Sequence, residues 1–178
     1  MNFSLFNELD FEKRHDELIA EIIAVFDGVS REDGITLHEA AAIDDRLSDE
    51  EQLAARRLDT EQRWQDVPDD DILACPSALS FLDVKGFRYY LPAFMIYDLK
   101  NWNNTSCDFH LLHESGKSLR KSEPASITGK YGFTNAQCRV AAKFLRFVVG
   151  DEAPVATLKA VEKWEKFVQE LDHERTHK

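Results

Sequence analysis

The sequence contains little glycine, little proline and few cysteines, and each shortage narrows the possible folds. Only 7 glycines and 5 prolines occur in 178 residues. This excludes collagen-like and low-complexity chains and disfavours an all-β sandwich, which needs a turn about every 8–12 residues. The 3 cysteines, Cys75, Cys107 and Cys138, are widely spaced and form no C-x-x-C pair, so they indicate neither a zinc site nor a redox couple. We therefore expect a mainly helical protein of a reducing compartment.

Long hydrophobic runs are also missing. The first residues contain acids and no basic segment followed by an apolar stretch, so the sequence predicts no signal peptide. The most apolar stretches, residues 93–97 and 144–149, fall far short of the ~20 residues that span a bilayer. We predict a cytoplasmic protein with no membrane partner.

Apolar residues are nevertheless abundant. They make up 43% of the chain and include 12 phenylalanines and 3 tryptophans, enough to offset the conformational entropy lost on folding. A chain of this length buries about 70% of its unfolded surface, so a core needs no disulfide or metal. We predict a single globular domain over residues 1–150, followed by a C-terminal helix, residues 151–178, that packs on the domain or on a second copy of the chain.

Acidic residues are concentrated in the first part of the chain. The formal net charge is -11, and residues 1–71 contain 21 acidic against 7 basic residues. Binding to nucleic acid requires a basic footprint, so we predict no nucleic-acid partner. One interpretation is an acidic surface that docks a basic protein, and the other is a solvated surface that only keeps the protein soluble. The carboxylates that would form the docking surface are Asp44, Asp45, Asp49, Glu50, Glu51, Asp69, Asp70 and Asp71.

Capping boxes and apolar stripes predict most of the helices. In a capping box, a hydroxyl residue and a carboxylate or amide three positions later satisfy the free amides of a first turn. Apolar residues at three- and four-residue spacing predict a first helix over residues 11–29, and Pro68 predicts a break between helices. The last helix starts near Pro154, and its narrow stripe would suit a homodimer. The capping pairs are Thr36 with Glu39, Ser48 with Glu51 and Thr134 with Gln137, and the last stripe is Leu158, Val161, Trp164, Val168 and Leu171.

The aromatic segment after residue 78 predicts strands. Residues 78–83 and 87–91 flank a short turn that contains Gly86, which is typical of a β-hairpin. Pro92 is predicted to start a short helix, and residues 107–113 alternate enough for a third strand. The predicted fold class is α+β, mainly helical around a small antiparallel hairpin or three-stranded sheet. We expect residues 79–99 at the centre of the core, with these rings buried: Phe81, Phe87, Tyr89, Phe94 and Trp102.

Two patterns resemble the motifs of metal-dependent hydrolases. Residues 173–177 read H-E-x-x-H, but helices fray at a terminus and the motif has no third ligand after it. Asp69 with Asp83-x-Lys85 resembles a nuclease pattern, but the second half falls on the predicted hairpin turn and the acidic surroundings would repel phosphate. Neither pattern predicts a catalytic residue.

Two histidine groups are also weighed as metal ligands. His38 lies near Glu39, Asp44 and Asp45 on one predicted helix, for which a solvated helix surface is the simpler interpretation. His110 and His113 lie three apart, and in a strand such residues point to opposite faces. The sequence therefore predicts no bound metal and no cofactor.

Three strings resemble an uncharacterised bacterial family classed as a domain of unknown function. They are GITLHEAAAID at residues 34–44, W-x-x-V-P at 64–68 and LSFLDVKGFRYYLPAFMI at 79–96. The resemblance covers most of residues 15–150 and implies no catalytic assignment. The YYLPA segment is also similar to segments of small cytoplasmic immunity proteins that neutralise toxins, which implies a protein partner.

We therefore predict a non-enzymatic protein-binding module, with toxin neutralisation through the acidic helices as its most concrete form. The alternatives are a metal-dependent hydrolase or nuclease that uses one of the two motifs, and a dimeric structural protein assembled through the last helix. A metal dependence, a salt-sensitive partner or a concentration-dependent mass would distinguish the three.

Overall fold

The computed structural model describes residues 3–102, 105, 107–113 and 124–176. Within these ranges every regular element is a helix, so the predicted α+β class is wrong and the domain is all-helical. The chain also makes two short 3₁₀ turns, Trp64–Asp66 and Ala78–Ser80. The helices are α1 (Phe3–Val25), α2 (Leu37–Asp44), α3 (Asp49–Arg56), α4 (Asp69–Ala74), α5 (Val84–Asn101), α6 (Cys107–Leu112), α7 (Pro124–Tyr131), α8 (Asn135–Val149) and α9 (Val155–Thr176).

The predicted hairpin is replaced by α5, the central helix of the domain. Asp83 begins the helix as its N-cap, with Oδ1 accepting from the Gly86 amide at 2.8 Å, so the presumed turn is a first helical turn. Pro92 lies inside the helix and not at its start. Twelve of the 18 residues of α5 are buried. A helix covered on nearly all sides has no polar face to reveal its period, which is why its sequence resembled strands.

The predicted third strand is also helical. Residues 107–112 form α6, and Asp98 at the end of α5 accepts from the Thr105 and Cys107 amides at 2.6 and 3.1 Å. In a helix, His110 and His113 are neighbours one turn apart, so their predicted placement on opposite faces is wrong. Residues 114–123 lie outside the described residues, and α7 follows them directly.

The three predicted capping boxes are confirmed. Both reciprocal hydrogen bonds are present at the starts of α2, α3 and α8. The break at Pro68 is confirmed as well, because α4 begins at the next residue. At the other end of the domain, α8 ends at Gly150, which has a positive φ. Local hydrogen bonding by polar side chains is readable from the sequence because both partners lie within three residues of each other.

The core surrounds α5 and α8. α1 packs on both of these helices, α6 packs on both as well, α7 packs on α5, and α9 packs on α8. Phe87, Tyr89 and Phe94 are buried as predicted, and Phe81 is partly buried. Trp102 was predicted in the core, but 77% of it is exposed. It occupies the left-handed C-cap of α5 and stacks on Phe11 with ring centroids 5.8 Å apart.

The last helix uses its apolar stripe within this chain. Val161 and Trp164 of α9 are buried, and the indole of Trp164 donates to the Leu111 carbonyl at 3.0 Å. These side chains are therefore not accessible to a second copy, and a homodimer through α9 remains a prediction that would use the other faces of the helix. None of the helices within the described ranges is long and apolar enough to cross a membrane.

The start of α5 is fixed against the segment before α2 by close backbone packing. A Cβ on Gly86 would meet the Ile35 carbonyl oxygen, and a Cβ on Gly34 would lie 2.7 Å from the Gly86 nitrogen. Asp83 joins the same contact by accepting from the Ile35 amide at 3.1 Å. Because Gly34 and Gly86 carry no side chains, the segment before α2 lies directly against the start of α5. This contact fixes the position of α2 relative to α5.

Candidate functional site

The predicted acidic surface belongs to a layer of three short helices, α2, α3 and α4. α2 packs on both α3 and α4. Seven of the eight predicted carboxylate residues are exposed, at the α2–α3 turn and in the first turns of α3 and α4. Asp71 differs, because its side chain is 34% exposed and faces His38 of α2. We call the layer with its eight carboxylates the acidic layer.

The carboxylates of the acidic layer are not neutralised by cations. Among the described residues, no lysine or arginine forms an ion pair with any of the eight. Asp44 accepts from the Ser77 hydroxyl at 2.6 Å, and Glu51 accepts from the Ser48 amide in its capping box at 2.9 Å. The layer therefore keeps most of its negative charge facing solvent.

The basic residues of α8 are paired within the chain. Arg139 binds Asp172 at 2.8 Å, Lys143 binds Glu21 at 2.7 Å and Arg146 binds Glu165 at 2.7 Å. These pairs neutralise the basic part of the molecule locally. The acidic layer holds 8 of the 21 acidic residues before residue 72, and none of the eight is paired with a lysine or arginine among the described residues.

Exposed leucines accompany the carboxylates. α3 contains no buried residue, and Leu53 at its centre is 51% exposed. Leu47, Leu58 and Leu73, which lie before α3, after it and in α4, are exposed by 39%, 62% and 51%. Solitary exposed leucines are common on protein surfaces, and these four share the short helices of the acidic layer or the segments next to them.

A histidine and two aspartates meet where α2, the loop after α3 and α4 come together. Asp59 is buried, with 2% of its side chain exposed, and accepts from the His38 amide at 2.9 Å and from its Nδ1 at 2.8 Å. The Nε2 atom of His38 lies 4.0 Å from Oδ1 of Asp71. One ligand atom from each of the three residues lies within 4.8 Å of the others. We call this group the His–Asp cluster.

Cys75 lies near the His–Asp cluster but is not activated as a nucleophile. Burial raises the pKa of the Cys75 thiol to about 11, and the negative charges of Asp59 and Asp71 contribute to the rise. The thiolate is the reactive form of cysteine, so a thiol that stays protonated is a poor nucleophile. All three cysteines are buried and free.

A second polar group lies on the α5 side of the acidic layer. Nη1 of Arg31 donates to Oε1 of Glu61 at 2.7 Å and to the Tyr90 hydroxyl at 2.6 Å, and Tyr90 donates to the same Glu61 oxygen at 2.7 Å. Burial raises the pKa of Tyr90, with further contributions from its hydrogen bond to Glu61 and from the charge of Asp59. This triad fastens the loops before α2 and after α3 to the central helix.

Sequence reasoning considered His38 as a metal ligand but favoured a solvated surface, placed Asp71 in the docking surface, and missed both Asp59 and the Arg31 triad. His38 was weighed with Glu39, Asp44 and Asp45, yet its partner Asp59 is 21 residues away. Glu39 instead binds Arg56 at 2.5 Å, Asp44 accepts from the Ser77 hydroxyl, and Asp45 is exposed. No local spacing signals contacts made across such distances, and single aspartates in polar loops are usually solvated.

The two hydrolase motifs do not form sites among the described residues. The carboxylate of Asp83 already accepts from the Gly86 amide as the N-cap of α5, and Lys85 binds Glu32 and Asp33 at 2.8 and 2.5 Å. Neither residue is available for a nuclease centre with Asp69. The H-E-x-x-H pattern begins at the exposed His173 in the last turns of α9, and its other side chains lie outside the described residues.

These observations define an all-helical domain that carries an acidic layer next to a half-buried His–Asp cluster. A model of a family of unknown function, DUF6714, matches residues 14–171. The chain belongs to this family, which confirms the predicted membership of a domain-of-unknown-function family, and the matched region extends from α1 into α9. No curated protein and no solved structure matches the chain. These findings give no support to the similarity with toxin-immunity proteins.

Proposed function

We propose that the acidic layer is the docking surface for a basic protein, and that the protein acts in the cytoplasm by binding and not by catalysis. The observation that carries this proposal is α3, a helix with no buried residue that presents Leu53 among unpaired carboxylates. The three free, buried cysteines support a reducing compartment.

The carboxylates account for the choice of partner and the speed of encounter. A charged surface steers a partner of opposite charge and excludes partners of like charge. Because the cations of α8 are already paired within the chain, they do not cancel this attraction. A toxin with a basic surface is one partner of this chemistry.

The leucines account for affinity once contact is made. Rim charges change mainly the association rate, whereas apolar side chains buried at the centre of an interface slow dissociation. Leu53 lies between the acidic first turn of α3 and Arg56 at its end, so it is the apolar side chain best placed to be covered by a partner.

We expect reversal of Asp45, Asp49 and Glu50 to lysine to slow association with the captured partner by about tenfold or more at low salt, because steering raises association rates by 10–10³. Glu51 is left unchanged because it completes the capping box of α3. The partner is first captured from a host lysate on the immobilised protein, and its association rate is then measured as salt increases.

The matched control reverses Glu12, Glu152 and Glu162, which are exposed and lie outside the acidic layer. Both triple variants change the net charge equally, so only a local effect separates them. Equal capture and an equal salt dependence for the two variants would contradict the proposal. Circular dichroism checks that both variants are folded, since reversal in the first turn of α3 removes favourable dipole interactions of about 0.3–1 kcal/mol each.

Replacing Leu53 by alanine tests the apolar part of the surface. Alanine keeps the helix propensity of α3, so the fold should be retained. A contact at the centre of an interface costs more than about 1 kcal/mol when truncated, and we expect at least about a fivefold faster dissociation with an unchanged salt dependence. Val155→Ala, at a side chain that is 67% exposed on α9, is the control. Equal dissociation rates for the two variants would place the interface elsewhere.

A further inference from the structure

We propose that the His–Asp cluster binds a divalent transition metal of the zinc class, with Nε2 of His38 and a carboxylate oxygen of Asp71 as ligands and Asp59 as the residue that orients His38. This assignment goes beyond the docking function and differs from the sequence-based prediction of no metal. Its test needs no partner protein, so it succeeds or fails independently of the docking surface.

The separation between Nε2 of His38 and Oδ1 of Asp71 suits a shared ion better than a direct bond. At 4.0 Å the two atoms are too far apart for a hydrogen bond. Zinc binds imidazole nitrogen and carboxylate oxygen at ~2.0–2.2 Å, so two ligands of one ion lie ~3.4 Å apart in a tetrahedral arrangement. To bind one ion, the two atoms would have to approach each other by roughly 0.6 Å, a shift that a rotation of the Asp71 side chain can supply.

The orientation of the imidazole is fixed for this role. Asp59 uses one oxygen for the His38 amide and the other for Nδ1, and its carboxylate is almost fully buried. A carboxylate on Nδ1 favours the tautomer that leaves Nε2 free as an acceptor, and metal-binding histidines are commonly held in this way. Nε2, the nitrogen that faces Asp71, is therefore the one available for an ion.

The charge around the cluster favours a cation. No lysine or arginine in the described part of the chain forms an ion pair with Asp59 or Asp71. Asp59 accepts from the amide of His38 in the first turn of α2, whereas no positively charged group other than His38 lies within ion-pair distance of Asp71 among the described residues. The side chains of His38 and Asp71 are 21% and 34% exposed, so an ion can enter from solvent and water can complete its coordination.

The donor set selects the kind of ion. Imidazole nitrogen suits zinc, copper, iron and nickel, whereas magnesium and calcium prefer sites built entirely from oxygen. The ion would connect α2 with α4, because His38 and Asp71 lie on these helices, and Asp59 joins the loop after α3 to the site through His38. Binding would therefore stabilise the folded protein according to zinc concentration.

The experiment measures Zn²⁺ binding to the full chain by calorimetry after chelator treatment, together with the melting temperature at increasing Zn²⁺. All proteins carry His173→Ala and His177→Ala, so that the H-E-x-x-H end cannot contribute. We expect one bound Zn²⁺ and a rise in melting temperature. His38→Asn, which keeps a donor near the Nδ1 position, and Asp71→Asn should each weaken binding by about tenfold or more.

Asp70→Asn is the matched control, because Asp70 is the exposed neighbour of Asp71, and it should bind Zn²⁺ as tightly as the parent. Absence of binding by the parent protein, or equal binding by the His38 and Asp71 variants, would overturn the proposal. Co²⁺ tests the ligand set, since a thiolate charge-transfer band would assign the ion to a cysteine instead. Circular dichroism confirms that the variants compared are folded.

Discussion

Phe94→Ala is expected to lower the free energy of unfolding by about 3–5 kcal/mol, the cost of removing a fully buried phenylalanine. Phe94 is 0% exposed and lies in the middle of α5, the helix around which the core is built. The substitution removes apolar contacts and leaves a cavity that rigid helices on several sides can fill only in part. Urea denaturation of the parent and the variant measures the difference.

Trp102→Ala provides the comparison that separates the structure from the sequence-based prediction that both rings lie in the core. The rings of Phe94 and Trp102 were both predicted in the core, but Trp102 is 77% exposed and its ring stacks on that of Phe11. We expect a loss of no more than about 1.5 kcal/mol, the upper value for an aromatic pair. Similar losses for the two variants would show that the end of α5 is packed differently from the structure described above.

Arg31→Met is expected to destabilise the protein by about 3–5 kcal/mol, because it leaves the carboxylate of Glu61 without its cation in a largely buried position. The side chains of Arg31 and Glu61 are 17% and 7% exposed. Burial acts to lower the pKa of Arg31, but the Tyr90 hydroxyl and the charge of Glu61 outweigh it and the net effect raises the pKa. Thermal and urea denaturation measure the loss.

The double variant Arg31→Met with Glu61→Gln distinguishes a lost ion pair from lost packing. Glutamine keeps an oxygen that accepts from Tyr90 but carries no charge, so most of the stability should return. If the double variant is as unstable as Arg31→Met alone, the lost contact would instead be that of the guanidinium with the Tyr89 and Tyr90 rings, whose centroids lie 5.5 and 5.9 Å from the guanidinium carbon.

The helices that were predicted correctly have their signals within one or two turns. Thr36, Ser48 and Thr134 bind amides three residues ahead, so the start of each helix follows from local chemistry. α1 has a polar and an apolar face, and its period is readable. The local signals fix where these helices start, whereas their stability still depends on packing against the core.

The hairpin and the third strand were wrong because burial removes the pattern on which such predictions depend. The aromatic and β-branched residues of α5 are covered by α1, α6, α7, α8 and α4, so hydrophobic residues occupy most faces of the helix. A short apolar run of this kind fits a buried helix and a buried strand equally well. Gly86 resembled a turn residue, but it serves the close approach of Ile35.

The sequence by itself determined the helical character of the two ends, the three capped helix starts and the concentration of negative charge before residue 72, since composition and local hydrogen bonds carry this information. Only the tertiary structure decided that residues 84–91 are helical and continue into the helix predicted from Pro92, that Trp102 lies on the surface and that His38, Asp59 and Asp71 meet. The contacts of the His–Asp cluster join residues that are 12 to 33 positions apart in the sequence, so they depend on how α2, α3 and α4 pack. This packing is set by the shape of the whole core and cannot be read from any short segment of the sequence.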